Sequence, residues 1–208
     1  HLPLALLFGN FIFIKIRGSR FFQSVFFLPS VICGAGVGLL FNMIYNSEFG
    51  LLNTFLDLIR LSGLKHAWLS EEKTVMLALI IVVMWKYVGY HMVIQLAAMK
   101  SIPDSLFEAA RIDGAGFWRT TLSITFPMVK GTTNVLIILG IVGSLKTFDI
   151  VKLLTGGGPG RSSTVLNTYL YEKAFKDFNA GGAASIGVAI LMIAVIMSFL
   201  QIKLGKED

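Results

Sequence analysis

The chain has 208 residues and a formal net charge of +6, but only 14% of it is charged, against roughly a quarter in soluble domains. Apolar residues make up 55%, glycine adds 21 positions, and the mean hydropathy is +0.75. This composition excludes a soluble enzyme, a disordered protein and a secreted disulfide scaffold, and it points to a membrane protein. The positive balance is not a nucleic-acid signal, because the 18 Lys and Arg are scattered without a basic run of five or more. In a membrane protein such an excess marks cytoplasmic edges. Cys33 stands alone in an apolar run and is expected to be a small packing residue, and His1, His66 and His91 are too dispersed for a metal site. No cofactor or metal is expected.

The segment 1–14 is apolar but short for a span, and the positive charges Lys15, Arg17 and Arg20 follow it rather than precede it, unlike a signal peptide. It reads as the tail of a span whose beginning lies outside this sequence. Phe21 to Ser47 is a charge-free run of 27 residues, longer than the ~20 needed to cross a bilayer as a helix. Thr74 to Met99 forms a second span, interrupted only by Lys86 and His91. A third begins at Gly131 and extends past Leu145 through Lys146 and Asp149, and Phe178 to Ile202 is a fourth.

The three basic residues at 15–20, with no acid among them, place that turn in the cytoplasm. Alternation then puts 45–73 outside, 100–130 inside, 152–177 outside and the C-terminal tail inside. The segment 146–177 conflicts with this assignment, since it holds five basic residues and three acids. In the 45–73 loop, Phe49 to Ile59 repeats apolar residues at helical spacing, which predicts a short amphipathic helix lying along the outer membrane face or packing against the protein. Thr155-Gly-Gly-Gly-Pro-Gly160 predicts an irregular turn. It lacks the Lys-Ser/Thr of a nucleotide-binding loop.

The segment 100–130 carries the most information. Pro103 suits a first helical turn, Asp104 complements the positive helix end, and Gly114 suits a C-terminal stop. Leu106, Ala109, Ala110 and Asp113 fall on one broad face, with Glu108 and Arg111 on another, so a short helix-turn bearing an apolar knob and charges is predicted. Glu108-Ala109-Ala110, three residues, Gly114, nine residues, Ile124, one residue and Phe126-Pro127 resemble the EAA loop of binding-protein-dependent ABC importer permeases. Phe126 stands where that family usually has Leu. Ile102-Pro103, Phe148-Asp149, Thr155-Gly-Gly-Gly-Pro159 and Phe49-Gly-Leu-Leu-Asn53 are similar to the carbohydrate-uptake branch, in particular to the longer, maltose-transporter F-type subunit of a permease pair.

The resemblance implies an all-α, polytopic transmembrane helical bundle of the type I ABC importer permease (MetI-like) fold. It covers residues 1–208 as one permease domain lacking its N-terminal part, with the EAA coupling loop at 100–130. It implies a transport subunit, not an enzyme, in a prokaryotic inner or plasma membrane. ATP hydrolysis would reside in a cytoplasmic ABC ATPase dimer that receives the coupling helix at Glu108, Ala109, Ala110, Asp113 and Gly114. The further partners implied are a second, homologous permease subunit forming a heterodimer, an extracytoplasmic solute-binding protein, a sugar (oligosaccharide or glycoside) and membrane lipid, with no nucleic acid. Tyr87 and Tyr90 share one helical side, and Gly140, Ser144 and Thr147 share a face of the next span, where the maltose-type permease lines its sugar cavity. Lys86, Lys146 and Asp149 suggest a polar network, either an ion pair or a substrate contact. Gly34 and Gly38, and Ala183 and Gly187, fit small-residue helix packing. The alternatives are an ABC permease for a non-sugar solute and an ion-coupled secondary transporter, which would need intramembrane carboxylates where only Asp149 is present.

Overall fold

The structure is a computed structural model that describes residues 1–14 and 18–206. Lys15 and Arg17 of the expected cytoplasmic turn lie outside the described residues. All regular structure among the described residues is helical: α1 (Leu2–Phe13), α2 (Ser19–Val31), α3 (Gly34–Ile44), α4 (Leu51–Leu58), α5 (Glu72–Lys100), α6 (Asp104–Ile112), α7 (Phe117–Thr120), α8 (Phe126–Met128), α9 (Lys130–Leu145), α10 (Asp149–Leu154), α11 (Leu166–Tyr171) and α12 (Ala180–Lys206). Five-residue π-helical turns, Thr121–Thr125 and Glu172–Lys176, follow α7 and α11. By length and apolarity α5, the stretch Lys130–Leu154 and α12 can each cross a membrane.

The charge-free run 21–47, expected as one continuous span, is instead two helices, α2 and α3, parted at Ile32 and Cys33. Pro29 in the last turn of α2 has no N–H to donate, and Cys33 is extended at φ −61° and ψ 151° before Gly34 starts α3. Cys33 is therefore exposed at the break and not the packing residue expected. Hydropathy registers only that the run is apolar, so it carried no warning of the interruption.

The chain divides into two compact units, one made of residues 1–31, 85–140 and 197–208, the other of 32–84 and 141–196. In the first unit, Ala5 and Ile12 of α1 pack with Val88, Met92 and Leu96 of α5, and Phe8 stacks on Phe26 at a centroid distance of 4.8 Å. A side chain at Gly89 would collide with the carbonyl of Phe26, so α2 and α5 meet backbone to backbone there. A second cluster, Met99, Ile102 and Val129, supports the 100–130 segment.

In the second unit α3 packs on α10. A Cβ at Gly34 would overlap the Asp149 carboxylate, and one at Gly38 would lie 2.9 Å from Leu153 Cβ, so both glycines of the expected packing pair are required by contact. Gly187, by contrast, would meet Leu170 at an ordinary 3.6 Å.

The 45–73 segment is built around Asn53. Its amide nitrogen donates to the carbonyls of Ser47 (3.3 Å) and His66 (3.1 Å), and its oxygen accepts from Trp68 Nε1 (2.8 Å). Asn53 is buried, while Leu51, Phe55 and Leu58, at spacings of four and three on the opposite side of α4, are exposed. The predicted amphipathic helix is thus present, with its polar anchor turned inward and its apolar stripe outward. Glu71 closes the loop by accepting the Ala67 N–H (2.8 Å) and pairing with His66 Nδ1 (2.9 Å).

Candidate functional site

The 100–130 segment emerges from α5 at Met99 and Ile102, both buried. Pro103, at φ −59° and ψ 133°, occupies the N-cap position one residue before the helix, and Asp104 opens the first turn of α6 where its charge complements the helix dipole. At the other end Arg111 lies in the last turn, Gly114 takes φ +69°, the Ala115 N–H donates to Ala110 O (2.8 Å) and the Gly114 N–H donates to Arg111 O (3.1 Å). This pair of bonds is a Schellman stop, and the left-handed residue it needs is the glycine expected from sequence. A Cβ at Gly114 would meet nothing within 4 Å, so the position asks for backbone freedom and not for space.

The structure divides the expected knob. Glu108, Ala109 and Asp113 are exposed, but Ala110 is only 8% exposed and turns inward beside half-buried Phe107. Ile112, which sequence reasoning passed over, is 86% exposed and supplies the apolar projection of the free face, with Leu106 less prominent. Its signal was present as a large aliphatic residue two positions before the helix stop, on the side opposite Phe107.

Beyond Gly116 the chain forms α7, the π turn and α8 in succession. Pro127 cannot donate to a residue one α-turn earlier, and the wider π turn at Thr121–Thr125 lies just ahead of it. Thr121 and Thr125 are buried, and Thr121 Oγ1 accepts from Asn10 Nδ2 at 2.6 Å.

The candidate pathway residues are distributed over both units. Tyr87, Tyr90 and Gly140 belong to the first, Ser144 and Thr147 to the second. Tyr90 is 42% exposed, with its ring edge-on to His91 at 5.2 Å, and the Tyr87 carbonyl accepts the proton on His91 Nδ1 at 2.9 Å. Lys86 is 6% exposed, with its ammonium 5.5 Å from the centre of the Tyr87 ring, in keeping with the cost of leaving a charge unaccompanied at membrane depth. Lys86 lies in the first unit and Lys146 and Asp149 in the second. Ser144 Oγ donates to Ile141 O (2.9 Å) and Thr147 Oγ1 to Gly143 O (3.2 Å), which leaves their lone pairs available as acceptors. Ser144 borders an open cavity of about 440 Å³ shared with Leu145, Thr164, Val165, Leu166 and Tyr169.

Tyr169 was not foreseen from sequence. Its ring lies 5.8 Å from the Arg161 guanidinium and 5.7 Å from Lys173 Nζ. The basic excess of 146–177 is locally engaged: Lys173 pairs with Asp177 (2.7 Å), Lys176 with Glu172 (3.0 Å), and Lys152 sits 4.6 Å over the Tyr171 ring. Hydrogen bonding to Lys176 lowers the Glu172 pKa, and hydrogen bonding to Lys173 lowers that of Asp177. The preceding glycine loop is an irregular turn, as predicted. Gly156, Gly157 and Gly160 are left-handed, Thr155 Oγ1 lies 2.7 Å from Ser163 Oγ, and Ser163 Oγ donates to Gly158 O at 2.6 Å.

Membrane-length apolar helices joined by a projecting helix-turn define a multi-pass membrane protein. The chain belongs to the family described as binding-protein-dependent transport system inner membrane component, which it matches over residues 1–205. It is 42% identical over 195 residues to a probable ABC transporter permease of Bacillus subtilis, YurN, covering 92% of this chain and 67% of that protein. It is 34% identical over 193 residues to the multiple sugar-binding transport system permease MsmF of Streptococcus mutans, covering 93% of this chain and 66% of that one. The chain thus spans about two thirds of the length of these relatives. A crystal structure of a bacterial ABC transporter that imports the acidic polysaccharide alginate shares the fold at a TM-score of 0.88 and 24% identity, over 99% of this chain and 72% of that one. The fold is therefore that of the ABC importer permeases, and the protein is an inner-membrane transport component with no catalytic role of its own.

Proposed function

We propose that this chain, as a single permease domain, forms the translocation pathway of an ATP-driven importer for an oligosaccharide or related glycoside and couples it to a cytoplasmic ATPase through α6. The observation that supports coupling is the free face of α6. Glu108, Ala109, Ile112 and Asp113 stand exposed on a helix stopped at Gly114, a small apolar and acidic surface suited to a groove with basic neighbours, while Ala110 seats the helix from behind. In this reading an ABC ATPase dimer binds that face, a second homologous permease completes the pathway, and an extracytoplasmic solute-binding protein delivers the solute. The sugar class is supported by the likeness to MsmF, whose name records a multiple-sugar system. Tyr87 and Tyr90 would offer ring faces to a sugar, and Ser144 and Thr147 hydroxyl acceptors, with Gly140 as a further pathway position.

Reconstitution of the chain with its partner permease, ATPase and solute-binding protein tests the proposal. Uptake should require ATP, and Tyr90→Ala combined with Ser144→Leu should abolish solute-stimulated uptake while the complex still assembles. Uptake driven by an ion gradient without the ATPase would overturn it in favour of a secondary transporter.

A further inference from the structure

Asn10 is the only amide side chain in α1, whose other eleven residues are apolar or small, and it is 2% exposed. A buried amide without a partner costs free energy, and this one is satisfied by the π turn of the 100–130 segment through the 2.6 Å bond to Thr121 Oγ1. Its neighbours make two further attachments to the same segment. Phe11 stacks on Phe117 of α7 at 5.5 Å, and Phe13 packs against Phe107 of α6 at 5.3 Å. Three of the last four positions of α1 therefore reach all three pieces of the segment: α6, α7 and the π turn.

The Phe13–Phe107 contact continues into the Met99, Ile102 and Val129 cluster, whereas Asn10 and Phe117 also border a hollow. A cavity of about 430 Å³ lies among Asn10, Phe13, Asp104, Phe107, Arg111 and Thr121. Where few atoms bridge a hollow, each bridge controls the position of what it holds more strongly than it would inside a close-packed core. The π turn at one attachment is a geometry that recurs at functional sites.

We propose that the end of α1 is the positioning element of the coupling segment, with Asn10, Phe11 and Phe13 holding α6, α7 and the π turn as one body so that displacement of α6 is delivered into α1. The proposal rests on the reading of α6 as the ATPase-docking helix. Asn10 and Thr121 are positioning residues, since neither contacts the ATPase or the solute in this reading.

The test uses the assembled carrier in proteoliposomes and reads solute moved per ATP hydrolysed. Asn10→Leu and Thr121→Val should each lower that ratio by roughly two- to ten-fold, the range expected for one buried hydrogen bond, with subunit assembly unchanged. Thr121→Ser keeps the hydroxyl and should retain the wild-type ratio, and the double variant N10L/T121V should be no worse than the poorer single one. A residue that merely supports the fold would reduce uptake and hydrolysis in proportion, so an unmoved ratio in assembled N10L and T121V carriers overturns the proposal. If N10L fails to assemble, Phe117→Leu, which removes the ring stack and leaves an apolar contact, decides by the same ratio. A cysteine cross-link from Ala109→Cys to the ATPase reports docking separately. Absence of that cross-link refutes the docking reading and this proposal together, whereas a cross-link with an unmoved ratio refutes this proposal alone.

Discussion

Gly114 offers the sharpest test of what the proposed coupling role of the 100–130 segment requires. Its φ of +69° lies in the left-handed region, and the space around its absent Cβ is open. A substituent there meets no atom of this chain, so the intrinsic cost is that of the backbone conformation alone, about 1 kcal/mol for alanine and ~2 kcal/mol for a β-branched residue. Those figures correspond to shifts of about five-fold and about thirty-fold toward a frayed end, in which the carbonyls of Ala110 and Arg111 lose the N–H groups of Ala115 and Gly114. Asparagine tolerates the left-handed region and should cost little. In reconstituted carriers the solute transported per ATP should therefore fall in the order Gly114 ≈ Gly114→Asn > Gly114→Ala > Gly114→Val, while co-purification of the subunits is unchanged. An order set by side-chain size, with Gly114→Ala above Gly114→Asn, would show that the ATPase groove and not the helix stop imposes the glycine. Wild-type coupling by Gly114→Val would refute the reasoning altogether.

Two further outcomes concern the second unit. The Ala67 N–H, followed by hydrogen bonding to His66, lowers the Glu71 pKa below the ordinary glutamate range. A carboxyl lowered in this way contributes stability that is fully present above its unfolded value of about 4.3 and is lost as pH falls through the folded value, so the loop around Trp68 should hold its structure down to about pH 4.3 and loosen only below it. Trp68 fluorescence in a background with Trp85 and Trp118 replaced by Phe measures this, and a midpoint above about 4.3 would contradict the assignment. At the helix contacts, Gly38→Ala would place a Cβ 2.9 Å from that of Leu153 and should cost roughly 1–3 kcal/mol, whereas Gly187→Ala, at 3.6 Å from Leu170, should be near neutral. Thermal unfolding of the two variants in detergent checks the contrast, and equal melting temperatures would rule it out.

Much of the 100–130 segment was legible in sequence because its determinants are local. A glycine after a helix-length run and an acid in the first turn each act within one or two turns of the backbone, so Asp104 and Gly114 are found where their chemistry requires. The inward turn of Ala110 and the projection of Ile112 were not legible, because spacing groups residues by face but does not say which face meets the rest of the protein. The same limit applies to α4, where periodicity gave the helix and only the hydrogen bonds of Asn53 showed which side is anchored.

By itself the sequence determined that this is a membrane protein with several apolar spans, an amphipathic helix after the first of them, a glycine turn before the last and a helix-turn with a glycine stop between two others. Those properties follow from hydropathy, charge and backbone preference summed over short stretches. Only the tertiary structure decided that the run 21–47 is broken at Cys33, that Gly89 is required by neighbouring chain and that Gly34 and Gly38 meet Asp149 and Leu153, that Lys152, Arg161, Lys173 and Lys176 are engaged by acids and aromatic rings, and that Asn10 reaches Thr121. Each depends on which residues distant in sequence become adjacent in space. The Asn10–Thr121 bond, which joins positions 111 residues apart, is fixed by the packing of α1 rather than by any pattern along the chain.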